Sequence, residues 1–389
     1  MKIGDTYLHT SESVGNGHPD KMADIVSDSI LDAILKQDQN RPKVACECIV
    51  TVGLIMVFGE ITTTAVVDYQ SVVRDAIQSI GYDSSDKGFD WRNCAVIVSI
   101  EAQSPEIGHG VTSGSIGQIN NDNDGSGDQG MMSGYATKET PELMPLPIML
   151  AHRMNQKMAD LRYSKQLPWL LPNTKTQVTV EYEISDGFIH TPRRVHTVVV
   201  SAQHSPSVDL DVLRKELLEK VIRDVIPENL LTAETVYHIN PAGLFTMMGD
   251  SGLTGRKIIV DTYGSSGISV GGGCFSGKDP SKTDRSGAYA ARWIAKSLVA
   301  ADLCHRCSVQ ISYAIGVAKP ISVQVNAHGT SEVGNSKLLE IVEKNFDLRP
   351  GVISRELGLW EMTNYTDTAC YGHFGREKFP WETPRVLKL

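Results

Sequence analysis

A glycine-rich segment at residues 271–282 combines four glycines with two lysines, a composition suited to binding an anion. Glycines allow successive backbone N–H groups to converge on one anion, and Lys278 adds positive charge beside them. From Gly272 the segment also fits the GxxxxGK spacing of a nucleotide-binding P-loop. However, Asp279 takes the place of the magnesium-binding hydroxyl, and Pro280 prevents a helix from starting directly after the lysine. A P-loop is therefore excluded, and two interpretations stay open: an anion site, or a mobile surface turn with solvated lysines.

Further basic residues stand at the ends of loops and predicted elements. They are Lys175, Arg256, Lys257, Lys282 and Arg285. Taken singly, each is typical of a solvated surface charge. In a chain whose formal charge is −9, several such cations favour a polyphosphate ligand. The apolar residues 258–260, directly after one basic pair, are interpreted as a strand.

The segment 11–21, SESVGNGHPDK, ends where an amphipathic helix is predicted to begin. Pro19 suits the first turn of that helix, so His18 and Asp20 flank its free N–H groups. A helix N-terminus favours an anion, which is either the Asp20 carboxylate as a cap or a bound phosphate. The close spacing of His18, Asp20 and Lys21 favours a magnesium–phosphate site, in which aspartate holds the metal and histidine or lysine meets the phosphate.

Carboxylates also occur where apolar residues or glycines dominate. Glu47 lies within an apolar alternation that predicts a strand, and Glu60 ends the run LIMVFGE. A carboxylate in such a place should be paired, bound to a metal or part of an interface. Asp128 and Asp250 lie in glycine-rich loops, and Asp284 opens a predicted helix. Together with the cations, these residues predict an enzyme for a magnesium-bound polyphosphate, with further carboxylates for a cationic co-substrate.

Three long helices follow the polar or glycine-rich segments and must position them. Helix, strand pair and second helix recur three times, and the strand pairs open near residues 43, 177 and 309, at offsets of 134 and 132. We therefore predict three α/β units of similar build, an α+β fold with mixed sheets, because adjacent strands pair without a crossover helix. The predicted helices are 19–37, 69–80, 142–162, 212–225, 284–302 and 336–345, and the predicted strands are 43–51, 54–62, 95–100, 178–184, 195–202, 235–239, 309–313 and 321–325.

The composition excludes several classes of protein. The 389 residues carry 37 Lys and Arg against 46 Asp and Glu, which argues against a general nucleic-acid binder. The longest apolar stretch, 54–58, is far too short for a membrane span, and the first residues lack the apolar core of a signal peptide. Seven cysteines with a single CxxC, at 304–307, favour buried thiols over disulfides or zinc. We expect a cytoplasmic protein without a membrane or nucleic-acid partner.

Seven longer motifs are similar to those of one enzyme family. In chain order they read SESVGNGHPDK, GEITTTA, GSGDQGMMSGYAT, GDSGLTGRKIIVDTYG, GGGCFSGKDPSKTDRSGAYAAR, SYAIGVA and CYGHFGREKFPWE, and they span residues 11–382. The chain thereby resembles the methionine adenosyltransferases, also called S-adenosylmethionine synthetases. The resemblance implies that the methionine sulfur attacks C5′ of ATP and displaces triphosphate, which is cleaved to diphosphate and phosphate before S-adenosylmethionine leaves. A thioether needs no deprotonation, in agreement with a sequence that offers no Ser-His-Asp arrangement.

The resemblance also implies roles for residues of this sequence that match the family pattern. The catalytic set is His18, Lys175, Arg256, Lys278 and Lys282. The ATP contacts are His18, Lys175, Phe245, Asp250, Arg256, Lys257, Cys274 and Lys278, with Phe245 stacked on adenine. The methionine contacts are Glu60, Gln103, Asp128, Asp250 and Lys282. The metal ligands are Asp20 and Asp284 for two Mg²⁺ ions and Glu47 for K⁺.

The resemblance implies an architecture as well. The family has three similar α/β domains related by pseudo-threefold symmetry, in agreement with the repeated offsets. We place the domains at 1–103, 125–238 and 239–389, with a lid loop at 104–124. A homodimer with shared active sites is implied, and a homotetramer as a dimer of dimers. Two rival functions stay open: a triphosphatase or other ATP-using transferase that has lost methionine, and a regulatory subunit without turnover.

Two stretches differ from the family pattern. Leu244 replaces an arginine before Phe245, and the segment between Phe245 and Asp250 is shorter. The lid 104–124 carries glycine, serine and asparagine where a more charged run is expected. We therefore expect retained activity with altered affinity for ATP or altered nucleotide selectivity.

Overall fold

The structure, a computed structural model, describes residues 6–103, 122–185, 189–267, 271 and 273–389. The first third contains β1 (Thr6–Val14), α1 (Pro19–Leu35), β2 (Lys43–Thr51), β3 (Leu54–Thr62), α2 (Tyr69–Ile80), β4 (Asp83–Ser84), β5 (Phe89–Asp90) and β6 (Ala95–Glu101). The second contains β7 (Gly130–Thr137), α3 (Leu146–Tyr163), β8 (Leu170–Ser185), β9 (Ile189–His204), α4 (Leu210–Leu217), whose helical course continues through Leu218–Ile222 and Arg223–Val225, and β10 (Val236–Ile239). The last contains β11 (Gly252–Leu253), α5 (Ile258–Asp261), α6 (Thr283–Ala300), β12 (Arg306–Tyr313), β13 (Ser322–Asn326), α7 (Gly334–Asn345) and α8 (Pro350–Glu356).

Three sheets are each built around a hairpin. In the N sheet, β2 pairs antiparallel with β3, and β6 joins β3 in parallel. In the central sheet, β8 pairs antiparallel with β9, and β10 joins β9 in parallel. In the C sheet, β12 pairs antiparallel with β13. The N and central sheets are therefore mixed, and the predicted α+β class with three repeated units is confirmed.

Each sheet receives one further strand from another third of the chain. β1 pairs with β8 of the central sheet, β7 with β12 of the C sheet, and β11 with β2 of the N sheet, all antiparallel. In every case the exchanged strand precedes the long helix of its own third, which is α1, α3 or α6. The three thirds are therefore joined in a ring of exchanged strands, an arrangement that the sequence pattern did not indicate.

The three long helices, α1, α3 and α6, pack on the sheets and form the core together with them. Each packs against the first strand of the hairpin in its own third and against the exchanged strand beside that hairpin. One apolar core joins the N and C sheets around α1 and α6, and a second lies under the central sheet against α3 and α4. Because apolar burial is the main stabilising term in folding, the loops before these helices are anchored to elements that contribute to the core.

Several predicted elements differ from the observed ones. Residues 258–260 form the helix α5 and not a strand, because a run of three apolar residues does not distinguish the two. The helix predicted at 142–162 begins at Leu146, where Pro145 is the cap residue and a second proline occupies the first turn. β8 and β9 are longer than predicted, because their ends lack apolar alternation. The domain boundaries stay predictions, and 104–121 of the predicted lid lies outside the described residues.

The cysteines and helices agree with two simpler expectations. All seven cysteines are free thiols, of which six are buried and Cys274 is partly exposed, so the preference for buried thiols is confirmed. In the described ranges, no helix is both long and apolar enough to cross a membrane.

Gly134 marks the place where the exchanged strand β7 crosses α6. A Cβ atom at this position would lie 2.0 Å from the backbone carbonyl carbon of Ala291. We expect Gly134→Ala to push β7 away from α6 and to lower the free energy of unfolding by about 1–3 kcal/mol, measured by urea denaturation. Gly249→Ala is the control, because its added Cβ would have no atom of the described residues within 4 Å apart from those of its chain neighbours. Equal stability of the two variants would contradict the close packing of the exchanged strand.

Candidate active site

The N-terminus of α1 places a histidine and an aspartate side by side. Pro19 begins the helix, and His18 caps it, since its Nδ1 accepts a hydrogen bond from the Asp20 N–H at 3.2 Å. Both side chains are almost fully buried. The Asp20 carboxylate accepts hydrogen bonds from the Leu253 N–H at 3.1 Å and from Lys257 Nζ at 2.5 Å. Asp20 therefore faces the segment that follows β11, and the capping role belongs to His18.

Neighbouring charges set the protonation of these two groups. Burial, together with the positive charges of Lys257 and Lys175, lowers the pKa of His18 to about 3. The imidazole is therefore neutral, and because Nδ1 accepts a hydrogen bond, its proton is on Nε2. Burial raises the pKa of Asp20, but hydrogen bonds from Lys257 and the Leu253 N–H outweigh it, so the pKa lies below its ordinary value. Asp20 is thus ionised at neutral pH, as a hard metal ion requires.

The other predicted cations of this region gather beside the same helix end. Arg256 Nε lies 3.7 Å from the Asp20 carboxylate. Lys175 belongs to β8, and its Nζ lies 3.9 Å from the carboxylate of Asp250. The side chains of Lys175, Asp250 and Arg256 are 45%, 68% and 57% exposed, so a ligand can reach them. We call the following set the helix-end group: His18, Asp20, Lys175, Asp250, Arg256 and Lys257.

Lys21 does not belong to this group, although its spacing suggested a phosphate contact. Its side chain is completely buried and donates to Asp24 at 2.9 Å and to Asp261. Asp24 also accepts a hydrogen bond from the Gly255 N–H at 2.9 Å. These contacts tie α1 to the segment 252–261, and so they position the two basic residues that this segment carries.

The predicted anion-binding segment runs along the part of β2 that β11 leaves unpaired. The Cys46 N–H donates to the Gly277 carbonyl at 2.9 Å, and the Asp279 N–H donates to the Val44 carbonyl at 3.1 Å. The Asp279 carboxylate accepts from the Val44 N–H at 2.7 Å. Gly277 has φ of 78°, and a Cβ atom there would lie 1.9 Å from the Cys46 carbonyl oxygen. Asp279, whose presence argued against a P-loop, therefore fixes this segment to the N sheet.

The side chain of Lys278 extends from this segment toward Asp284. Its ammonium group contacts the Asp284 carboxylate, and both side chains are about four-fifths buried, at 20% and 19% exposure. Burial lowers the pKa of Lys278, but the hydrogen bond with Asp284 and the negative charges of Asp284 and Glu47 raise it above its ordinary value, so the ammonium stays charged. Burial raises the pKa of Cys274 to about 11, so its thiol is neutral. Glu47 is exposed, and its charge acts on both neighbours.

The glycine-rich loop at 125–130 packs against the start of α6. Ser126 Oγ lies 2.7 Å from Thr283 Oγ1, and a Cβ atom on Gly127 would lie 3.5 Å from Lys282 Cδ. A cavity of about 520 Å³ opens between residues 129–131, 254–258 and 273–284. We call the following set the glycine-loop group: Glu47, Asp128, Cys274, Lys278, Lys282 and Asp284.

Three predicted residues join neither group through a described contact. Glu60 is exposed in β3 opposite Glu101 of β6. The backbone N–H of Gln103 donates to a threonine at the end of β3. The Phe245 carbonyl accepts a hydrogen bond from the His204 N–H, and the Phe245 N–H donates to the ring nitrogen Nε2 of His204. Among the residues that the structure describes, no hydrogen bond or ion pair joins the helix-end group to the glycine-loop group.

The carboxylates of the two groups fit a metal ion that the substrate helps to bind. Within the described ranges, no three His, Cys, Asp or Glu side chains are arranged to hold a metal by themselves. Mg²⁺ usually takes one or two protein carboxylates and completes its shell with water and substrate phosphates. Asp20, beside Arg256 and Lys257, and Asp284, beside Lys278, match this description.

Sequence reasoning found Asp20 but missed that it begins a row of buried aspartates on α1. They recur at every fourth residue and are Asp20, Asp24, Asp28 and Asp32. Asp28 binds the Arg285 guanidinium at 2.7 and 3.0 Å and accepts from the Gly277 N–H at 2.8 Å. Asp32 accepts from the N–H groups of residues 365–366 at 2.7 and 2.9 Å. The signal was present, because carboxylates at helical spacing in an otherwise apolar helix must find partners when buried.

Comparisons with known proteins match all three parts of the chain that contribute residues to this site. Residues 6–105 match the family model of the S-adenosylmethionine synthetase N-terminal domain, residues 123–245 that of the central domain, and residues 245–383 that of the C-terminal domain. The chain is also 52% identical over 388 residues to the S-adenosylmethionine synthase of Desulfosudis oleivorans, covering 98% of this chain and 97% of that protein. This chain therefore belongs to the S-adenosylmethionine synthetase family.

Proposed function

We propose that this chain is a methionine adenosyltransferase that makes S-adenosyl-L-methionine from ATP, L-methionine and water in the cytoplasm. The methionine sulfur attacks C5′ of ATP, the C5′–O bond breaks, and triphosphate leaves with the electron pair. Water then cleaves the triphosphate to diphosphate and phosphate. Family membership supports this reaction, and so does one observation in the structure: Arg256 and Lys257 lie beside the Asp20 carboxylate and Lys278 beside that of Asp284, a pairing of cations and carboxylates that suits magnesium triphosphate.

The proposed catalysis relies on alignment and charge, because a thioether is nucleophilic without a general base. Aligned reactants remove much of the entropic barrier, and fixed positive charge stabilises the triphosphate as it departs. The cations in this role are Lys175, Arg256, Lys257, Lys278 and Lys282. The Nε2–H of neutral His18 is free of the helix cap and would donate a hydrogen bond to the leaving oxygen.

Asp20 and Asp284 would hold the two Mg²⁺ ions, and Glu47 would hold K⁺. When bound, these cations neutralise charge on the polyphosphate. Asp20 is suited to this role because its lowered pKa keeps it ionised. Asp284 has a cation on one side and the cavity between residues 129–131 and 254–258 on the other.

Methionine and the nucleoside would take the remaining predicted residues. The ammonium group of methionine needs an acidic partner, for which Glu60, Asp128 and Asp250 are candidates, with Gln103 and Lys282 beside its other groups. Phe245 would stack on adenine, and Cys274 would lie beside ATP as a small neutral residue. Leu244 is 70% exposed where the family pattern has arginine, so we propose that ATP affinity or nucleotide selectivity differs.

We also propose that each active site is shared between two chains of a homodimer, which pairs further into a tetramer. Two features support sharing. No described hydrogen bond or ion pair joins the two groups of predicted residues, and the outer face of the N sheet exposes apolar side chains. Ile49 and Ile97, which the strand register places on the same face, are 37% and 47% exposed there. Contiguous apolar surface of this kind marks an interface, and this face also carries Glu47 and Glu60.

The reaction is tested by incubating the purified chain with ATP, methionine, Mg²⁺ and K⁺. We expect equimolar S-adenosylmethionine, diphosphate and phosphate, measured by chromatography. Phosphate release without the sulfonium product would favour a triphosphatase, and no turnover would favour a regulatory subunit. Omitting each metal in turn tests the cation requirement, and GTP in place of ATP measures nucleotide selectivity.

Lys278→Ala tests the proposed stabilisation of the leaving group. We expect kcat to fall by about 10²-fold or more, the scale for losing one preorganised charge contact. Lys337→Ala is the control, because Lys337 is exposed on α7 and pairs only with Glu340 among the described residues. If kcat of Lys278→Ala lies within a few-fold of that of the control, the glycine-rich segment is better interpreted as a solvated surface turn.

Heterodimers of two inactive variants test whether the site is shared. Lys257→Ala damages the helix-end group and Lys278→Ala the glycine-loop group. If each site combines one group from each chain, the heterodimer keeps one intact site of two and recovers about half of the native activity. The two chains carry different affinity tags, and the doubly purified dimer is assayed.

A matched heterodimer separates complementation from mere mixing. Lys257→Ala paired with Lys175→Ala damages the helix-end group of both chains, so no intact site can form. We expect this dimer to stay inactive. Equal activity of the two heterodimers would show that each site is built within one chain.

A further inference from the structure

Arg285 follows the proposed metal ligand Asp284 but points away from the cavity into the protein. Its side chain is 1% exposed, on α6 beneath the glycine-rich segment. Two of its nitrogens bind the Asp28 carboxylate at 2.7 and 3.0 Å. Asp28 lies on α1 and is itself fully buried. A buried guanidinium in such a place needs every donor satisfied, so its remaining contacts show what it holds.

The remaining donors of Arg285 reach the segment that carries Lys278. Nη1 donates to the Lys278 carbonyl at 3.2 Å. Nη2 donates to Thr368 Oγ1 at 2.9 Å, and Nε donates to Tyr289 Oη at 2.9 Å. Asp28 completes the arrangement, because it accepts from the Gly277 N–H at 2.8 Å. The ion pair thus binds the backbone on both sides of the Gly277–Lys278 peptide bond.

We propose that Arg285 and Asp28 are positioning residues for Lys278, which fix the backbone from which its ammonium group is aimed at the leaving triphosphate. The lysine side chain is long and flexible, and fixing its backbone reduces the positions that its Nζ can take. Gly277 alone cannot supply this order, because its left-handed φ of 78° makes the segment bend sharply but gives no side-chain contact. This inference rests on the proposed function, since it assigns the supporting residues of one proposed phosphate contact.

The chain offers a closely matched control on the same helix. Arg292 lies two turns after Arg285 on α6, is fully buried and also binds a carboxylate with two nitrogens, that of Glu382 at 3.0 and 2.9 Å. Its other donors reach the carbonyl groups of residues 135, 142 and 143, outside the predicted site. Arg292→Lys therefore removes a comparable buried arginine with no link to Lys278.

The first experiment compares Arg285→Lys with Arg292→Lys. Lysine keeps the charge but cannot bind a carboxylate and a carbonyl group together in the planar arginine geometry. We expect Arg285→Lys to lower kcat by about 10²-fold, the scale for a misplacement of about 1 Å, with KM for methionine near native. Arg292→Lys should lower the melting temperature by a similar amount and leave kcat near native. Equal losses of kcat in both variants, or no loss in Arg285→Lys, would overturn the proposal.

A double-mutant cycle then tests whether Arg285 acts through Lys278. If it does, adding Arg285→Lys to Lys278→Ala changes kcat by less than about twofold, because the group to be positioned has gone. A further fall equal to that in the native background would show that Arg285 acts by another route. If Arg285→Lys does not fold, Asp28→Asn takes its place in the cycle, since it keeps an oxygen for Gly277 but loses the paired charge.

Hydrogen–deuterium exchange separates this inference from the proposed function. We expect faster exchange in peptides covering 273–282 in Arg285→Lys but not in Arg292→Lys. Unchanged exchange there would refute the positioning role whatever the activity. If exchange rises but Lys278→Ala keeps a native rate, the positioning holds and the phosphate contact proposed for Lys278 is wrong.

Discussion

The buried aspartates of α1 each require a partner, and this requirement organises the site. An ionised carboxylate without a partner inside a protein costs several kcal/mol, so four of them in one helix constrain whatever packs against it. Asp20 holds Lys257, Asp24 holds Lys21 and the backbone before Arg256, Asp28 holds Arg285, and Asp32 holds the backbone of residues 365–366. One helix of the first third thus fixes three segments of the last third, and two of those segments carry proposed phosphate contacts.

Strand exchange supplies the remaining alignment. β1 ends at Val14, which pairs with Lys175 of β8 only a few residues before His18, so the pairing register brings a lysine of the central sheet to the N-terminus of α1. β11 lies against β2, and its Leu253 N–H reaches Asp20. Three repeated units without exchanged strands would contain the same site residues but would not bring them together. The fold therefore positions the site through the pairing of strands from different thirds, where backbone hydrogen bonds set the register.

Much of this architecture was predictable, and what was not has a physical reason. The hairpin β2–β3 and the helix α2 were predicted with their observed bounds, because alternation, helical spacing and a terminal glycine all agreed there. Strand exchange could not be read from local patterns, since which strands pair depends on contacts between residues far apart in sequence. For the same reason the sequence suggests Lys21 as a phosphate contact, because it stands beside Asp20, whereas the helix turns its side chain into the interior toward Asp24 and Asp261. The sequence likewise suggests Arg285 as a cation for the ligand, although its partner Asp28 stands at helical spacing in the first predicted helix.

The pairing of opposite charges within the chain affects which form of a polyphosphate the site would bind. Lys257 lies against Asp20 and Lys278 against Asp284, so these two proposed phosphate contacts are each held by a proposed metal ligand. A magnesium triphosphate carries both charges, and it can give an anion to each lysine and a cation to each aspartate. Binding would then exchange one set of ion pairs for another and leave no charge unpaired. A triphosphate without its metal would pair with the lysines but would leave the carboxylates beside it without a cation. The arrangement therefore favours the metal-bound form of the substrate. Asp28 and Arg285 stand outside this exchange because both are buried, and their pairing preserves the backbone geometry while the side chains above them change partners.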